Sequence, residues 1–150
     1  MSLITHVGIG VPELERALRW YGEVLGFERL GATMRVRESE GHAGVVAADV
    51  LGPGFGPFSQ GHLVGANGVG LELFEFEDPP AERRGIFHVC VVAPDVPRAA
   101  ERIAANGGRR TSRIWQIFEG EPYLTCYCED PFGNVVELYS HAHERVYANR

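Results

Sequence analysis

The 150-residue sequence has few cysteines, no run of basic residues and no long hydrophobic stretch. Its three cysteines are an odd number without a C-x-x-C pair, which favours a reducing compartment over a disulfide scaffold. The net charge is −6, and the sequence has no cluster of basic residues that could bind the phosphates of a nucleic acid. Apolar stretches end well short of the roughly 20 residues of a membrane helix, and no signal peptide precedes the first predicted strand. We therefore expect a cytoplasmic protein without a nucleic-acid or membrane partner.

Length and composition predict one folded domain over residues 1–150. Hydrophobic residues make up 45% and charged residues 23% of the chain, as in ordinary globular proteins. A chain of this length is long enough to bury a sizeable core. Disorder and fibrous repeats are therefore excluded.

The sequence contains an internal repeat. Two pairs of segments align without gaps, residues 5–17 on 87–99 and residues 68–74 on 133–139. The first alignment places His6 over His88, and the second places Glu72 over Glu137. The two offsets differ, so the first copy carries an insertion between its helix and its last strand.

Each copy is predicted to be a βαβββ module, which makes the fold class α+β. The predicted strands are 4–11, 27–31, 59–65 and 69–76 in the first copy and 86–93, 109–115, 122–129 and 134–140 in the second, and the predicted helices are 13–25 and 95–106. Module one spans about 4–77, and module two spans about 84–140. The insertion, about 32–58, is interpreted as a surface excursion or lid in which 44–51 is ambiguous between helix and strand. The linker between the modules begins at Asp78-Pro79-Pro80.

Strand alternation places four polar side chains on one face of the sheet. Apolar residues that alternate with them are predicted to lie under the helices: Val7, Ile9, Val11, Leu71, Leu73, Phe87, Val89, Val91, Val136 and Leu138. His6, Glu72, His88 and Glu137 then point to the opposite, concave face. On that face, Gly8 and Gly10 leave space for a cavity, and Phe74, Phe76 and Tyr139 make its walls apolar.

Two carboxylates in an apolar pocket are unfavourable unless a cation lies between them. Two imidazoles and two carboxylates suit one divalent ion such as Zn, Ni, Co, Mn or Fe, and positions left open would admit water or substrate. A single histidine on a strand is more often structural. Here the same ligand types recur at matched positions of both copies, so the sequence predicts a metal site at His6, Glu72, His88 and Glu137.

Other polar residues have structural interpretations. If a two- or four-residue turn connects the strand of His62 to the strand of Glu72, the His62 side chain points away from Glu72 and is structural or exposed. One bulge in the strand would reverse the direction of the side chain. His42 is expected to lie in an exposed loop, or else to be part of a lid over the cavity. His141 and His143 are expected to be peripheral, with His143 in a polar tail.

Three further interpretations concern the cysteines and the first helix. Cys126 and Cys128 are expected opposite Glu137 and Val135 at the cavity, or else to pack as small hydrophobes. No cysteine is assigned as a nucleophile. Trp20 and Tyr21 have the spacing of core residues in a helix.

The paired modules resemble the vicinal oxygen chelate superfamily, which includes glyoxalase I, methylmalonyl-CoA epimerase, extradiol dioxygenases and bleomycin or fosfomycin resistance proteins. The resemblance covers about residues 4–140, and its most specific segments are residues 6–9, 20–27, 70–74 and 130–138. It implies a mixed sheet curled into an incomplete barrel around one metal ion, which binds a small-molecule substrate through two neighbouring oxygens. It also implies a homodimer, with the site formed within one chain or between two.

The set of four ligands is most similar to glyoxalase I, because the epimerases usually carry Gln where this chain has Glu72. The resemblance thus implies a metal-dependent isomerase or lyase that acts through a chelated enediolate. Glu137 and Glu72 are the candidate catalytic bases, and the resemblance favours Glu137. The alternatives are a metal-free, ligand-sequestering protein of the bleomycin-resistance type, an epimerase-like enzyme and a dioxygenase-like enzyme.

Overall fold

A computed structural model describes residues 2–78, 85–129 and 133–148. The first half of the chain forms β1 (Leu3–Gly10), α1 (Leu14–Leu25), β2 (Glu28–Val36), α2 (Gly41–Leu51), β3 (Phe58–Val64) and β4 (Gly70–Phe76). The second half forms β5 (Gly85–Val92), α3 (Val96–Ala105), β6 (Arg109–Arg110), β7 (Trp115–Gln116), β8 (Leu124–Glu129), β9 (Val135–Tyr139) and α4 (His143–Tyr147). The predicted linker at Asp78-Pro79-Pro80 lies mainly outside the described residues. None of the described helices combines the length and apolar character needed to cross a membrane.

The strands form one open mixed sheet in the order β2-β3-β4-β1-β5-β9-β8-β6, with β7 paired to β8. In each half the first strand runs parallel to the last, β1 beside β4 and β5 beside β9. β1 and β5 join the two halves as an antiparallel pair. In the described parts of the chain the edge strands β2 and β6 do not pair, so the barrel stays incomplete. The predicted α+β fold of two matching modules is confirmed.

Helices α1 and α3 cover the outer face of the sheet, and their predicted positions are correct to within one residue at each end. Two apolar clusters fix them: Leu14, Leu18, Leu63 and Leu73 under α1, and Val96, Ala100, Cys126, Cys128 and Leu138 under α3. Tyr21 also packs against the first cluster. Trp20 is half exposed, so its predicted core position is wrong.

Most of the predicted insertion, residues 32–58, is regular structure. β2 continues to Val36, and the ambiguous stretch 44–51 belongs to α2. Ala47 of α2 packs on an aromatic cluster that includes Phe58, Phe74 and Phe76. The segment is therefore a helical cover packed on the concave face rather than an irregular surface excursion.

The length of the hairpin connections decides which side chains share the concave face. Five residues separate β3 from β4, which places His62 directly opposite Glu72. The predicted two- or four-residue turn was wrong, and His62 consequently faces Glu72 instead of pointing away. Five residues likewise separate β8 from β9, and here Tyr127 lies opposite Glu137.

The same parity corrects the position of the cysteines on β8. Cys128 lies opposite Val136 and Cys126 opposite Leu138, and both pack under α3. Their predicted place at the cavity is therefore wrong, while their role as small hydrophobes is confirmed. Residues 130–132 of the connection between β8 and β9 lie outside the described residues.

A register shift corrects the predicted position of Phe87. Gly8 pairs with His88 but the next residue, Ile9, pairs with Ile86. This irregularity turns Phe87 toward the concave face, where it contacts Phe74 and Phe76. The predicted position of Phe87 under α3 is therefore wrong.

The end of the chain is a short buried helix rather than a polar tail. In α4, Val146 and Tyr147 pack with Cys90 and Tyr139, and His143 is fully buried. The prediction that His143 is peripheral is therefore wrong.

Candidate metal centre

Four buried side chains converge from the four central strands of the sheet. His6 lies on β1, Glu72 on β4, His88 on β5 and Glu137 on β9. None of the four is more than 3% exposed. They occupy the concave face that strand alternation predicts. All four belong to one chain, so their convergence does not require a partner.

The ligand atoms of these residues lie close together. His6 Nε2 is 2.8 Å from Glu137 Oε2, 3.1 Å from His88 Nε2 and 3.4 Å from Glu72 Oε2. His88 Nε2 is 3.4 Å from Oε2 of each carboxylate. One ligand atom from each residue lies within 4.8 Å of all the others. The four residues therefore form a possible metal-binding group.

The spacing and chemistry of these atoms fit one divalent ion. Nitrogen and oxygen ligands lie about 2.0–2.2 Å from zinc, which separates neighbouring ligand atoms by roughly 3.0 Å in an octahedron and 3.4 Å in a tetrahedron. The five separations above range from 2.8 to 3.4 Å. Imidazole nitrogens and carboxylate oxygens suit several transition metals, so the donor set does not select one ion.

The carboxylates favour a positive charge at the point where the four side chains meet. Burial raises the pKa of the Glu72 carboxyl, but His6 and the neighbouring imidazoles outweigh burial and hold the pKa well below its usual range. Burial lowers the pKa of His6, but the Cys90 sulfur and the Glu72 and Glu137 carboxylates raise it well above its ordinary value. A proton on His6 and a metal ion would therefore compete for the same position.

Each carboxylate is also held by a hydroxyl group behind it. Thr125 Oγ1 donates a 2.9 Å hydrogen bond to Glu137 Oε1. The Tyr147 hydroxyl donates a longer, 3.4 Å bond to Glu72 Oε1. In both cases Oε2 is left facing the imidazoles. Such outer contacts orient metal ligands and tune their basicity.

Two histidines outside the predicted site lie directly behind it. His143 Nδ1 is 3.1 Å from Nδ1 of His6, and His62 Nδ1 is 3.6 Å from Glu72 Oε1. Burial lowers the pKa of His62 to about 4 and that of His143 well below its ordinary value, which favours the neutral form of both rings. The odd length of the β3–β4 connection is the signal that could have placed His62. No periodic pattern in the sequence marks His143.

At Gly8, the space that the missing side chain leaves is filled by the ring of His88. An ideal Cβ built on Gly8 would lie 1.9 Å from Cε1 of His88, its partner across β1 and β5. Only a residue without a side chain therefore allows the His88 ring to lie over β1. The glycine on one strand thus positions a ligand on the other.

A cavity of about 180 Å³ adjoins both carboxylates. Its walls are mainly apolar, as predicted, and include Phe58, Phe74, Phe87, Phe118, Tyr139 and five aliphatic residues of α2. Gln60 also lines it, and within the described residues its side-chain amide makes no hydrogen bond.

Helix α2 forms the roof of this cavity and is fastened to the second half of the chain. Asp49 Oδ2 accepts 2.7 Å hydrogen bonds from the Trp115 side chain and the Arg113 backbone. His42 Nε2 donates to the Gln116 carbonyl. His42 is thus a helical residue that lines the cavity, and its predicted position in an exposed loop is wrong. His141 contacts Tyr123 and Ser140 outside the centre.

Comparisons with known proteins identify the family of this chain and solved structures with a similar fold. The family model of the Glyoxalase/Bleomycin resistance protein/Dioxygenase superfamily matches residues 3–138. Among curated proteins, none matches the sequence.

Solved structures with a similar fold include several enzymes. A methylmalonyl-CoA epimerase structure from Mycobacterium tuberculosis has 18% identity and a TM-score of 0.62, over 91% of this chain and 85% of that one. A mutant 4-hydroxymandelate synthase from Streptomyces coelicolor has 11% identity and a TM-score of 0.65, over 92% and 48%. A 2,3-dioxygenase from Pseudomonas sp. KL28 has 16% identity and a TM-score of 0.55, over 91% and 41%. At these identities the structures show a shared fold.

The substitution Gly8→Ala should weaken metal binding by about 10-fold or more, because the new methyl group displaces the His88 ring. Isothermal titration calorimetry with Zn²⁺ or Co²⁺ measures the change. Gly22→Ala on α1 is the matched control, since its Cβ would meet no atom closer than 3.4 Å, and it should leave affinity unchanged. Equal affinity in Gly8→Ala and the wild type would show that His88 is not a ligand.

Proposed function

The chain belongs to the glyoxalase/bleomycin resistance protein/dioxygenase superfamily, and on that premise we propose that it is a metal-dependent isomerase or lyase of the glyoxalase type. The observation that carries the proposal is the meeting of two buried imidazoles and two buried carboxylates within 4.8 Å. Two buried carboxylates that meet in an apolar barrel are unfavourable unless positive charge lies between them. A bound divalent ion would compensate them and leave positions open for substrate.

His6, Glu72, His88 and Glu137 are the proposed metal ligands. A divalent ion bound by them would act as a Lewis acid on two neighbouring substrate oxygens and make the adjacent C–H bond more acidic. Glu137 and Glu72 both border the cavity, so either carboxylate can face the substrate carbon. The chemistry that needs a carboxylate there is proton abstraction next to a carbonyl group.

Glu137 is the proposed catalytic base. Its carboxylate takes a proton from one substrate carbon and returns it to the neighbouring carbon, while the hydroxyl proton of the substrate passes from one of its two oxygens to the other, so the isomerisation needs no oxidant, reductant or other reactant. Thr125 fixes the outer oxygen of Glu137 and leaves Oε2 directed at the centre. Glu72 would hold the negative charge near the cation while Glu137 carries the proton.

The cavity favours a small substrate with an apolar body. No arginine or lysine occurs among the residues that line it, nor among the described residues of the adjoining groove beside Phe87 and His88. A carrier group with several phosphates or carboxylates would therefore find no counter-charge there. The roof formed by α2 would exclude water from the reacting atoms.

Two expectations from the sequence stay predictions, a homodimer and a cytoplasmic location. The convergence of His6, Glu72, His88 and Glu137 within one chain supports a site that needs no residue from a second subunit.

The variant Glu137→Gln should reduce turnover by about 10²- to 10⁴-fold, because the amide cannot accept the substrate proton. The assay is metal-dependent exchange of C–H for C–D in D₂O, followed by NMR on a panel of small α-hydroxyketones and α-ketoaldehydes. The panel also contains the methylglyoxal–glutathione hemithioacetal and methylmalonyl-CoA. Protein treated with a chelator should be inactive until a divalent ion is restored.

Glu144→Gln is the control for this experiment, because Glu144 is an exposed residue of α4 and should leave exchange unchanged. Full activity of Glu137→Gln would eliminate Glu137 as the base. A wild-type protein that binds no metal, and whose stability a chelator leaves unaltered, would contradict the enzyme proposal and favour the ligand-sequestering alternative.

The substitution Gln60→Leu should raise KM by about 5- to 15-fold, because a hydrogen bond between its free amide and the substrate is lost. Since Gln60 is not one of the four proposed metal ligands, kcat should change much less. Steady-state kinetics on the best substrate of the panel separates the two effects. Ser59→Ala, on the neighbouring position that bonds Arg35, should leave both constants unchanged, and an unaltered KM in Gln60→Leu would remove Gln60 from the binding site.

A further inference from the structure

Helix α4 lies beyond residue 138, where the match to the superfamily ends. It nevertheless brings two side chains into contact with the candidate centre, His143 with His6 and Tyr147 with Glu72. We propose that α4 is a positioning element that fixes the metal ligands contributed by module one. This inference depends on the metal site of the proposed function.

The contact between His143 and His6 determines which nitrogen of His6 can bind a metal. A neutral imidazole carries one proton, and the nitrogen without it is the ligand. His6 Nε2 faces the other three ligand atoms, while its Nδ1 lies 3.1 Å from Nδ1 of His143. If His6 Nδ1 donates its proton to His143 Nδ1, then Nε2 of His6 has a free lone pair directed at the centre. His143 is thus an acceptor that selects the metal-binding tautomer of His6.

Three features of the chain hold His143 where it can accept this bond. Its backbone N–H donates to Oγ1 of Thr5, the residue next to His6. An ideal Cβ on Gly70, the β4 residue that pairs with His6, would lie 2.2 Å from the His143 ring. The ring is completely buried. A polar side chain fixed so closely to the other nitrogen of a ligand is expected of a positioning residue.

Tyr147 supports the second ligand of the same module. Its hydroxyl lies 3.4 Å from Glu72 Oε1 and 3.0 Å from the Tyr139 hydroxyl. Its ring stacks on His62, with centroids 3.5 Å apart and planes 17° from parallel. His62 in turn lies 3.6 Å from Glu72 Oε1. The stack therefore packs a neutral aromatic layer against the outer side of the Glu72 carboxylate.

The contacts of α4 are confined to one half of the ligand set. Glu137 is held by Thr125 of β8, and Nδ1 of His88 makes no hydrogen bond among the described residues. Replacing the His143 side chain without displacing α4 should therefore change the affinity of the centre mainly through His6. This asymmetry separates positioning by α4 from a general effect on the fold.

The test is isothermal titration calorimetry with Zn²⁺ and Co²⁺ on three variants of the full chain. His143→Phe keeps the ring volume but has no acceptor, and should weaken metal binding by about 10- to 100-fold. His143→Asn keeps an acceptor near the position of Nδ1 and should recover most of the affinity. His141→Phe changes a neighbouring histidine that does not contact the centre and should match the wild type. The Co²⁺ absorption spectrum should change in His143→Phe alone.

NMR of the zinc-loaded, ¹⁵N-labelled wild type gives a second measurement that does not depend on any variant folding. The inference predicts a proton on Nδ1 of His6 and none on Nδ1 of His143. A proton on Nδ1 of His143, or a folded His143→Phe with wild-type affinity, would overturn the inference while leaving the metal site intact. A wild-type chain that binds neither ion would overturn the proposed function as well.

Discussion

The candidate centre depends on the burial of two carboxylates in one apolar barrel. Glu72 and Glu137 stand on strands from opposite halves of the chain, and each is almost entirely shielded from water. Like charges so placed repel each other unless positive charge lies between them. The imidazoles of His6 and His88 occupy that space and supply nitrogen ligands for a cation. Binding of a divalent ion would thus stabilise the fold as well as provide its chemistry.

The internal repeat of the sequence brings the two histidines and two glutamates together with only four strands. The parallel pairs β1–β4 and β5–β9 each bring one histidine strand beside one glutamate strand, and the antiparallel β1–β5 pair joins them. The outer faces of these strands are covered by α1 and α3, which leaves the concave face for chemistry. Helix α2, which has no counterpart among the described helices of the second half, forms the roof of the cavity. The fold therefore separates the core that stabilises it from the face that carries the candidate metal centre.

Features with a strong period could be predicted from the sequence, and features set by a single residue could not. His6, Glu72, His88 and Glu137 followed from the repeat and from strand alternation, both of which extend over many residues. His62 was misplaced because its direction depends on whether the β3–β4 connection has an odd or even number of residues. Phe87 was misplaced by one register shift, and His143 because a five-residue helix has too few turns to show periodicity.

The most direct test of the account is a crystal structure of the protein loaded with Zn²⁺ or Co²⁺, with the ion located by its anomalous scattering. We expect one ion per chain, bound to Nε2 of His6 and His88 and to carboxylate oxygens of Glu72 and Glu137, at about 2.0–2.2 Å. An ion held elsewhere, or one that touches the histidines while both carboxylates turn away, would contradict it.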